Sequence, residues 1–399
     1  MTSTYSTDIV IFGGGIAGLW LLNRLRSVGY HAILLEANTL GGGQTIASQG
    51  IIHGGLKYAL SGSLTDAAKL ITQLPMRWRR CLQGDGDIDL SECELLSEHY
   101  YMWSNADFRS KLFTFLGSKG LSGRVEAVAT GDYPEFFKQA SVAGSLYRLP
   151  DFVIDTESLL RQLVKNQTDY LFRIEPTTIG FNRNASDDID SLSIELADST
   201  LRIETQRIVF CAGEGNRDLI EQAKLTQARS QIRPLKMVYL KKRTLPPVYV
   251  HCIGNSFSLT PKLTITSHTD ADGLVVWYLG GELAEAGVNR TDDQLLAVAK
   301  ELVADIFPWV DIEDAQWGCF MINRAEANVN NDYRPDGTYC VEESKVIAAW
   351  PTKLTLTPTL ADKVIRNLEE AAVTPSGHCT TEGLSDFLQR PQLASAHWE

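Results

Sequence analysis

Positive charge is scarce in this chain. Lys and Arg number 37 against 49 Asp and Glu, for a formal charge of −12, and the one short basic run is Lys241-Lys242-Arg243. A protein that neutralises nucleic-acid phosphates needs a clustered cationic face, so nucleic acid is excluded as a first reading of the partner. Paired cysteines are also missing. The seven present (Cys81, Cys93, Cys211, Cys252, Cys319, Cys340 and Cys379) are scattered, with no CxxC pair and no Cys/His spacing suited to zinc. Such an odd set reads as reduced thiols, and no metal site is expected. No basic segment precedes the first apolar run, so no cleavable signal is expected and the expected address is cytoplasmic. The most apolar stretch, residues 9–22, is too short to span a bilayer and carries four glycines, Gly13, Gly14, Gly15 and Gly18. Peripheral contact with a membrane stays open. What is plentiful is core: 44% hydrophobic and 22% charged residues over 399 positions suffice for two or three domain-sized units.

The first ordered unit is βαβ. Asp8-Ile9-Val10-Ile11-Phe12 reads as a buried strand, Gly13-Gly14-Gly15-Ile16-Ala17-Gly18 as a glycine turn, and residues 19–28 have helical apolar spacing. After Gly29, a natural helix stop, Ala32-Ile33-Leu34-Leu35-Glu36 is a second buried strand ending in an acid. The glycines serve different ends. Gly13 permits the tight turn, Gly15 lets backbone approach a pyrophosphate, and Gly18 allows close helix packing. The helix start then faces phosphate, and Glu36 can accept ribose hydroxyls. A carboxylate there would repel a 2′-phosphate, which leaves FAD or NAD.

Later segments continue the alternation. Residues 172–181 and 192–196 form an expected strand pair around a polar loop at 182–191, and residues 201–213 read as a strand closing on Cys211-Ala212-Gly213. Asp155 or Thr156 caps an expected helix at 159–165, with Ser158 in its first turn. Residues 237–240, 248–253, 263–266 and 274–279 are strand-like, and 292–307 has the apolar spacing of a helix. The expected architecture is α/β: a Rossmann-like, glutathione-reductase-type nucleotide domain (1–75, 151–232 and 323–372) and a mostly antiparallel β substrate domain (76–150 and 233–322). Residues 373–399 are expected as a surface helix or loosely held tail.

The loop after the second strand runs Gly41-Gly42-Gly43-Gln44-Thr45-Ile46-Ala47-Ser48-Gln49-Gly50-Ile51-Ile52-His53-Gly54-Gly55-Leu56-Lys57-Tyr58. It resembles the flavin-contacting stretch of the D-amino-acid-oxidase-like superfamily, whose glycerol-3-phosphate dehydrogenases carry "IHGGLRY" where this chain has residues 52–58. Gly62-Ser63-Leu64 also resembles the L-2-hydroxyglutarate oxidase branch, and this loop does not separate the two. Further resemblance lies in Cys211-Ala212-Gly213, in residues 317–337 with Arg324 and Asp336-Gly337 ("glRp…pDG"), and in Lys353-Leu354-Thr355 ("GGKLTTYR"). The family's glycines before that lysine are replaced here by Trp350-Pro351-Thr352, where a backbone amide and the hydroxyl of Thr352 or Thr355 could substitute.

The resemblance implies FAD, held by Gly13, Gly15, Ile16, Ala17, Gly18, Glu36, Ala37, Gly43, Gln44, Thr45, Ser48, Gln49, Gly50, His53, Gly54, Ala212, Gly213, Lys353, Leu354 and Thr355. It implies a flavin lying between the two domains, with the protein supplying orientation, a base and a cation for a small anionic substrate. Arg324 is the candidate anion clamp, with Lys57 and Arg334 behind it; a plain ion pair of Arg324 with Glu326 or Asp332 is the competing reading. His53 is the candidate base, against a structural histidine bonded to backbone or cofactor. His251 and His268 are further candidates, and Tyr58, Tyr239 and above all Tyr278 are candidate pocket hydroxyls. The expected activity is oxidation of a CH–OH group of a glycerol-3-phosphate-like or 2-hydroxy-acid substrate. Amino-acid or amine oxidation, and a non-catalytic flavoprotein acting as assembly partner or redox sensor, are the alternatives. Oxygen, a quinone or a carrier protein could accept the electrons.

Overall fold

The structure is a computed structural model that describes residues 2–55, 66–105, 125–140, 144–253, 261–329, 335, 337–377 and 381–399. Lys57, Tyr58, residues 62–64, Asp332, Arg334, Asp336 and Cys379 lie outside the described residues.

The first sheet holds β1 (Thr2–Phe12), β2 (Ala32–Glu36), β9 (Leu171–Arg173), β10 (Ile179–Arg183), β11 (Ile189–Glu195), β12 (Thr200–Phe210), β18 (Tyr339–Glu343) and β19 (Val346–Trp350). The run β9-β2-β1-β12-β19 is parallel, while β10, β11 and β18 join antiparallel. Consecutive residues of β1 feed different cores: Ile9 and Ile11 pack on one face and Val10 and Phe12 on the other. This is why the strand is continuously apolar, since a parallel sheet covered on both faces has no wet side. Helix α1 (Ile16–Ser27) covers the first face together with the helix Thr357–Glu370.

The second sheet, in the order β17 (Gln316–Ala327), β13 (Ser230–Lys242), β16 (Val275–Gly280), β15 (Leu263–Thr269), β14 (Val250–Ile253), β5 (Tyr100–Asn105), β7 (Gly144–Leu149), β6 (Glu126–Ala127), is antiparallel except where β14 runs parallel to β5. One face packs on the helix Asp292–Ile306, whose buried Leu295, Ala299 and Val303 recur every four residues. Thr291 and Gln294 close a capping box at its start. A third, small sheet of β3 (Ile51–Ile52), β8 (Phe152–Ile154) and β4 (Leu95–Ser97) sits between, so the chain passes from β7 to β8, one sheet to the next, through Pro150 and Asp151 alone.

Three sequence expectations need correction. The strand expected at 172–181 is two, because the turn at Pro176–Thr178 divides it into β9, which pairs with β2, and β10, which pairs with β11. The loop expected at 182–191 shrinks to a turn, because Asn184 Oδ1 accepts from the N–H groups of Ser186 and Asp188 and lets β10 and β11 extend. The C-terminal segment is not loose. It hydrogen-bonds Arg173 and Leu40 of the nucleotide-side sheet and its flanking loop. Then it crosses to the second sheet, where Trp398 is 5% exposed against His268 and Tyr278, and Lys241 Nζ donates to the Trp398 carbonyl. One buried aromatic in a short polar segment has no periodicity, so sequence pattern does not reveal it. Among the described residues, no helix is long and apolar enough to cross a membrane.

Candidate active site

The cofactor cradle follows from the glycines. Gly13 has φ +104°, and a Cβ on it would lie 2.4 Å from Ala212 Cα, so the first turn and the Ala212-Gly213 turn pack backbone to backbone. A Cβ on Gly18 would fall 1.9 Å from the Gly13 carbonyl oxygen. A Cβ on Gly15, by contrast, would meet only Thr45 Oγ1 at 3.4 Å, and one on Gly43 would meet nothing within 4 Å. Those two glycines border open space. Gly15 caps α1 with no side-chain cap and no acid in the first turn, which leaves the positive end of the helix facing that space. Thr45 Oγ1 accepts from Ile16 N at 2.9 Å and fixes the loop beside it. Glu36 accepts from the N–H groups of Gly14 and Asn38, holding its carboxylate at the end of β2. N–H groups at a helix start without a side-chain cap, open glycines beside them and a neighbouring carboxylate acceptor are what a pyrophosphate and a ribose require, so the residues present fit a dinucleotide.

Further along the loop the contacts turn toward the second sheet. Gln49 Nε2 donates to the carbonyls of Tyr278 (2.8 Å) and Thr264 (3.3 Å), and Tyr278 Oη donates to the Ala47 carbonyl at 2.7 Å. Tyr278 is fully buried, and burial pushes its phenol well above the ordinary range. It ties the loop to the sheet, which corrects its expected place as an open pocket hydroxyl. Gly50 has φ +67° and its carbonyl accepts from Ile154 N at 3.0 Å. Thr355 accepts from His53 N through its hydroxyl (2.9 Å) and from Trp78 Nε1 through its carbonyl (3.0 Å).

His53 stands at the centre of the best-defined polar cluster. Its Nδ1 lies 2.9 Å from Asp151 Oδ2, while Asp151 Oδ1 accepts from Gly54 N at 2.8 Å. Asp151 is 2% exposed. Burial works against its charge, but the bonds from His53 and Gly54 outweigh this and hold the carboxyl below its usual range. The His251 ring lies parallel to His53 at 6.1 Å, and its Nδ1 is 3.1 Å from Thr264 Oγ1. Burial, and then the neighbouring His53, push His251 down to about 3, so it stays neutral. Ligand atoms of His53, Asp151 and His251 lie within 4.8 Å of one another, a donor set of the kind that holds divalent ions, although Nδ1 of His53 is already engaged by the carboxylate.

Other candidates fall elsewhere. His268 is buried, with Nε2 at 3.0 Å from Thr266 Oγ1 and its ring against Trp398. The Arg324 guanidinium lies 3.7 Å from Glu285, and Glu326 has Arg233 at 3.3 Å. Arg233 and Arg324 are direct cross-strand partners. The structure brings His53, Asp151 and His251 together, and Arg324 stands on β17. Sequence reasoning misses Asp151, which reads only as the lead-in to a helix; the proline before it is the one sign of a fixed turn.

A family model described as FAD dependent oxidoreductase, DAO, matches residues 8–345. The chain belongs to this DAO family of FAD-dependent oxidoreductases. It is 42% identical over 403 residues to a probable FAD-dependent oxidoreductase, PA4991, of Pseudomonas aeruginosa, covering 100% of this chain and 99% of that protein. The crystal structure of that protein matches with a TM-score of 0.84 at 38% identity, covering 100% and 99% of the two chains. An FAD-bound L-alpha-glycerophosphate oxidase of Mycoplasma pneumoniae shares the fold at a TM-score of 0.65 and 14% identity, over 91% of this chain and 95% of that one. Glycine oxidase of Geobacillus kaustophilus does so at 0.65 and 17%, over 94% and 99%. This DAO-family chain is therefore an FAD-dependent enzyme with a mixed α/β fold.

Proposed function

We propose that this enzyme oxidises a CH–OH group of a small anionic substrate, of the glycerol-3-phosphate or 2-hydroxy-acid kind. FAD, when bound, accepts the hydride. The chain's own residues must then take the hydroxyl proton and hold the acid. His53 is the base in this reading, and Arg324 grips the phosphate or carboxylate, exchanging its contact with Glu285 for the substrate.

The observation that carries the reading is His53 itself. It directly follows β3 of the small third sheet, its ring is held at Nδ1 by Asp151, and Nε2 has no hydrogen-bond partner among the described residues. An alcohol cannot become a carbonyl without losing its O–H proton, so this oxidation needs a base in contact with the substrate. A neutral amine can lose hydride without one. Relatives that share the fold at 14% and 17% identity include both an alcohol and an amine oxidase, so the choice rests on this chemistry.

The test is the visible spectrum of the FAD-loaded protein, recorded anaerobically as glycerol-3-phosphate, L-2-hydroxyglutarate, lactate, glycine and other amino acids are added in turn. Bleaching of the flavin band by a hydroxy acid or the phosphate ester is the expected result. Bleaching by amino acids alone refutes the reading. Re-admission of oxygen, and separately of a soluble quinone, then distinguishes the electron acceptors.

A further inference from the structure

Asp151 occupies the crossing between two sheets. Leu149 ends β7 and Phe152 begins β8, whose partner β3 leads into His53. Pro150 is packed so closely on the turn after β3 that a Cβ on Gly54 would lie 2.5 Å from its Cγ. The carboxylate uses its two oxygens on two successive residues, Oδ2 on the His53 ring and Oδ1 on the Gly54 N–H. With Thr355 Oγ1 on the His53 N–H, backbone and ring are fixed from three directions.

We propose that Asp151 is a positioning residue: it keeps the His53 proton on Nδ1, so that Nε2 carries the lone pair and is the basic atom. This rests on the reading of His53 as the base. In the step it serves, the substrate O–H bond breaks, an N–H bond forms at Nε2, and the C–H electron pair leaves with its hydrogen to FAD. The imidazolium so formed is balanced by the Asp151 carboxylate. Nδ1 cannot be the basic atom, because an ionised carboxylate offers it no proton and needs one from it. Among the described residues, the titratable and charged groups around His53 are few. Asp151 faces it from the β7–β8 crossing and His251 from β14, the Tyr100 phenol of β5 lies beyond His251, and Lys353 is two residues before Thr355.

Asp151→Asn makes a sharp test because the amide is nearly the same size and Gly54 N–H still requires an acceptor. The amide oxygen is therefore held at Gly54, and the amide nitrogen turns to His53, where it can only donate. The ring must then carry its proton on Nε2, which removes the base. Nitrogen-15 spectra of histidine-labelled, FAD-loaded enzyme, with the His53 signals assigned from a His53→Asn sample, are expected to show Nδ1–H in the wild type and Nε2–H in Asp151→Asn. An Nδ1–H ring in both proteins overturns the proposal. With the substrate found above, flavin reduction in Asp151→Asn is expected to fall at least a hundredfold at neutral pH, at unchanged flavin content, and to recover as rising pH supplies hydroxide. Reduction at the wild-type rate in a protein whose ring has moved to Nε2–H contradicts His53 as the base while leaving the tautomer assignment standing.

Discussion

The nucleotide-side sheet and the second sheet each have eight strands, yet they hold their functional residues in opposite ways. In the first, the working parts are consecutive: β1, the glycine turn, α1 and β2 fall within residues 2–36, with Gly18 packed on Gly13 inside that unit and Gly13 on the Ala212 turn beside it. Near the second sheet the working parts are scattered. His53 meets Asp151 across 98 positions of sequence, and Gln49 meets Tyr278 across 229. A local unit binds a ligand common to many enzymes, whereas an assembled site depends on how two sheets are joined, and that joint is where individual chemistry is set.

Gly18→Ala should break the local unit most severely. Its Cβ would meet a backbone oxygen at 1.9 Å, in a turn that cannot retreat from Ala212. Loss of bound FAD, read from the ratio of visible to ultraviolet absorbance, is expected. Trp398→Ala should strike the joint instead. Removing that ring from between His268 and Tyr278 is expected to lower stability by about 3 kcal/mol in denaturant unfolding, with FAD affinity much less affected. Equal losses of both in either variant would dissolve the contrast.

Acid should also act on the joint. Burial pushes His268 down to about 4, below its unfolded value of about 6.5, so the unfolded chain binds the extra proton and stability falls as pH drops below that value. The expected loss from His268 is about 2 kcal/mol at pH 5. His251 adds to it in the same direction. Asp151 and Asp270, both held below the usual carboxylate range, contribute stability above that range that disappears at still lower pH. Unfolding midpoints measured from pH 7 to 4 check this, and His268→Gln should flatten the upper part of the curve. Glu36→Gln is the mildest change: its amide can keep one backbone contact, and FAD affinity is expected to weaken about tenfold, by roughly 1.4 kcal/mol.

What can be read in the sequence divides along the same line. β2 has the bounds its apolar run suggests, Asp155 caps its helix by accepting from Ser158 N, and the 292–306 helix carries its own capping box, since each of these is specified by neighbours in the chain. The cofactor is legible for the same reason. Tyr278 is misleading because a strand-end tyrosine reads alike whether its hydroxyl faces a pocket or a loop carbonyl. The tail reads as loose because Trp398 finds its partners in the second sheet, and Asp151 is invisible because its two hydrogen-bond partners sit in a turn nearly a hundred residues earlier.

In the proposed reaction His53 removes a hydroxyl proton during flavin reduction. Stopped-flow reduction of wild-type and His53→Asn enzyme, matched in FAD content and mixed with the same hydroxy substrate, tests it most directly. A fall of about a hundredfold or more in the reduction rate, with substrate still bound, is the expected result. Reduction of both proteins at the same rate would contradict it.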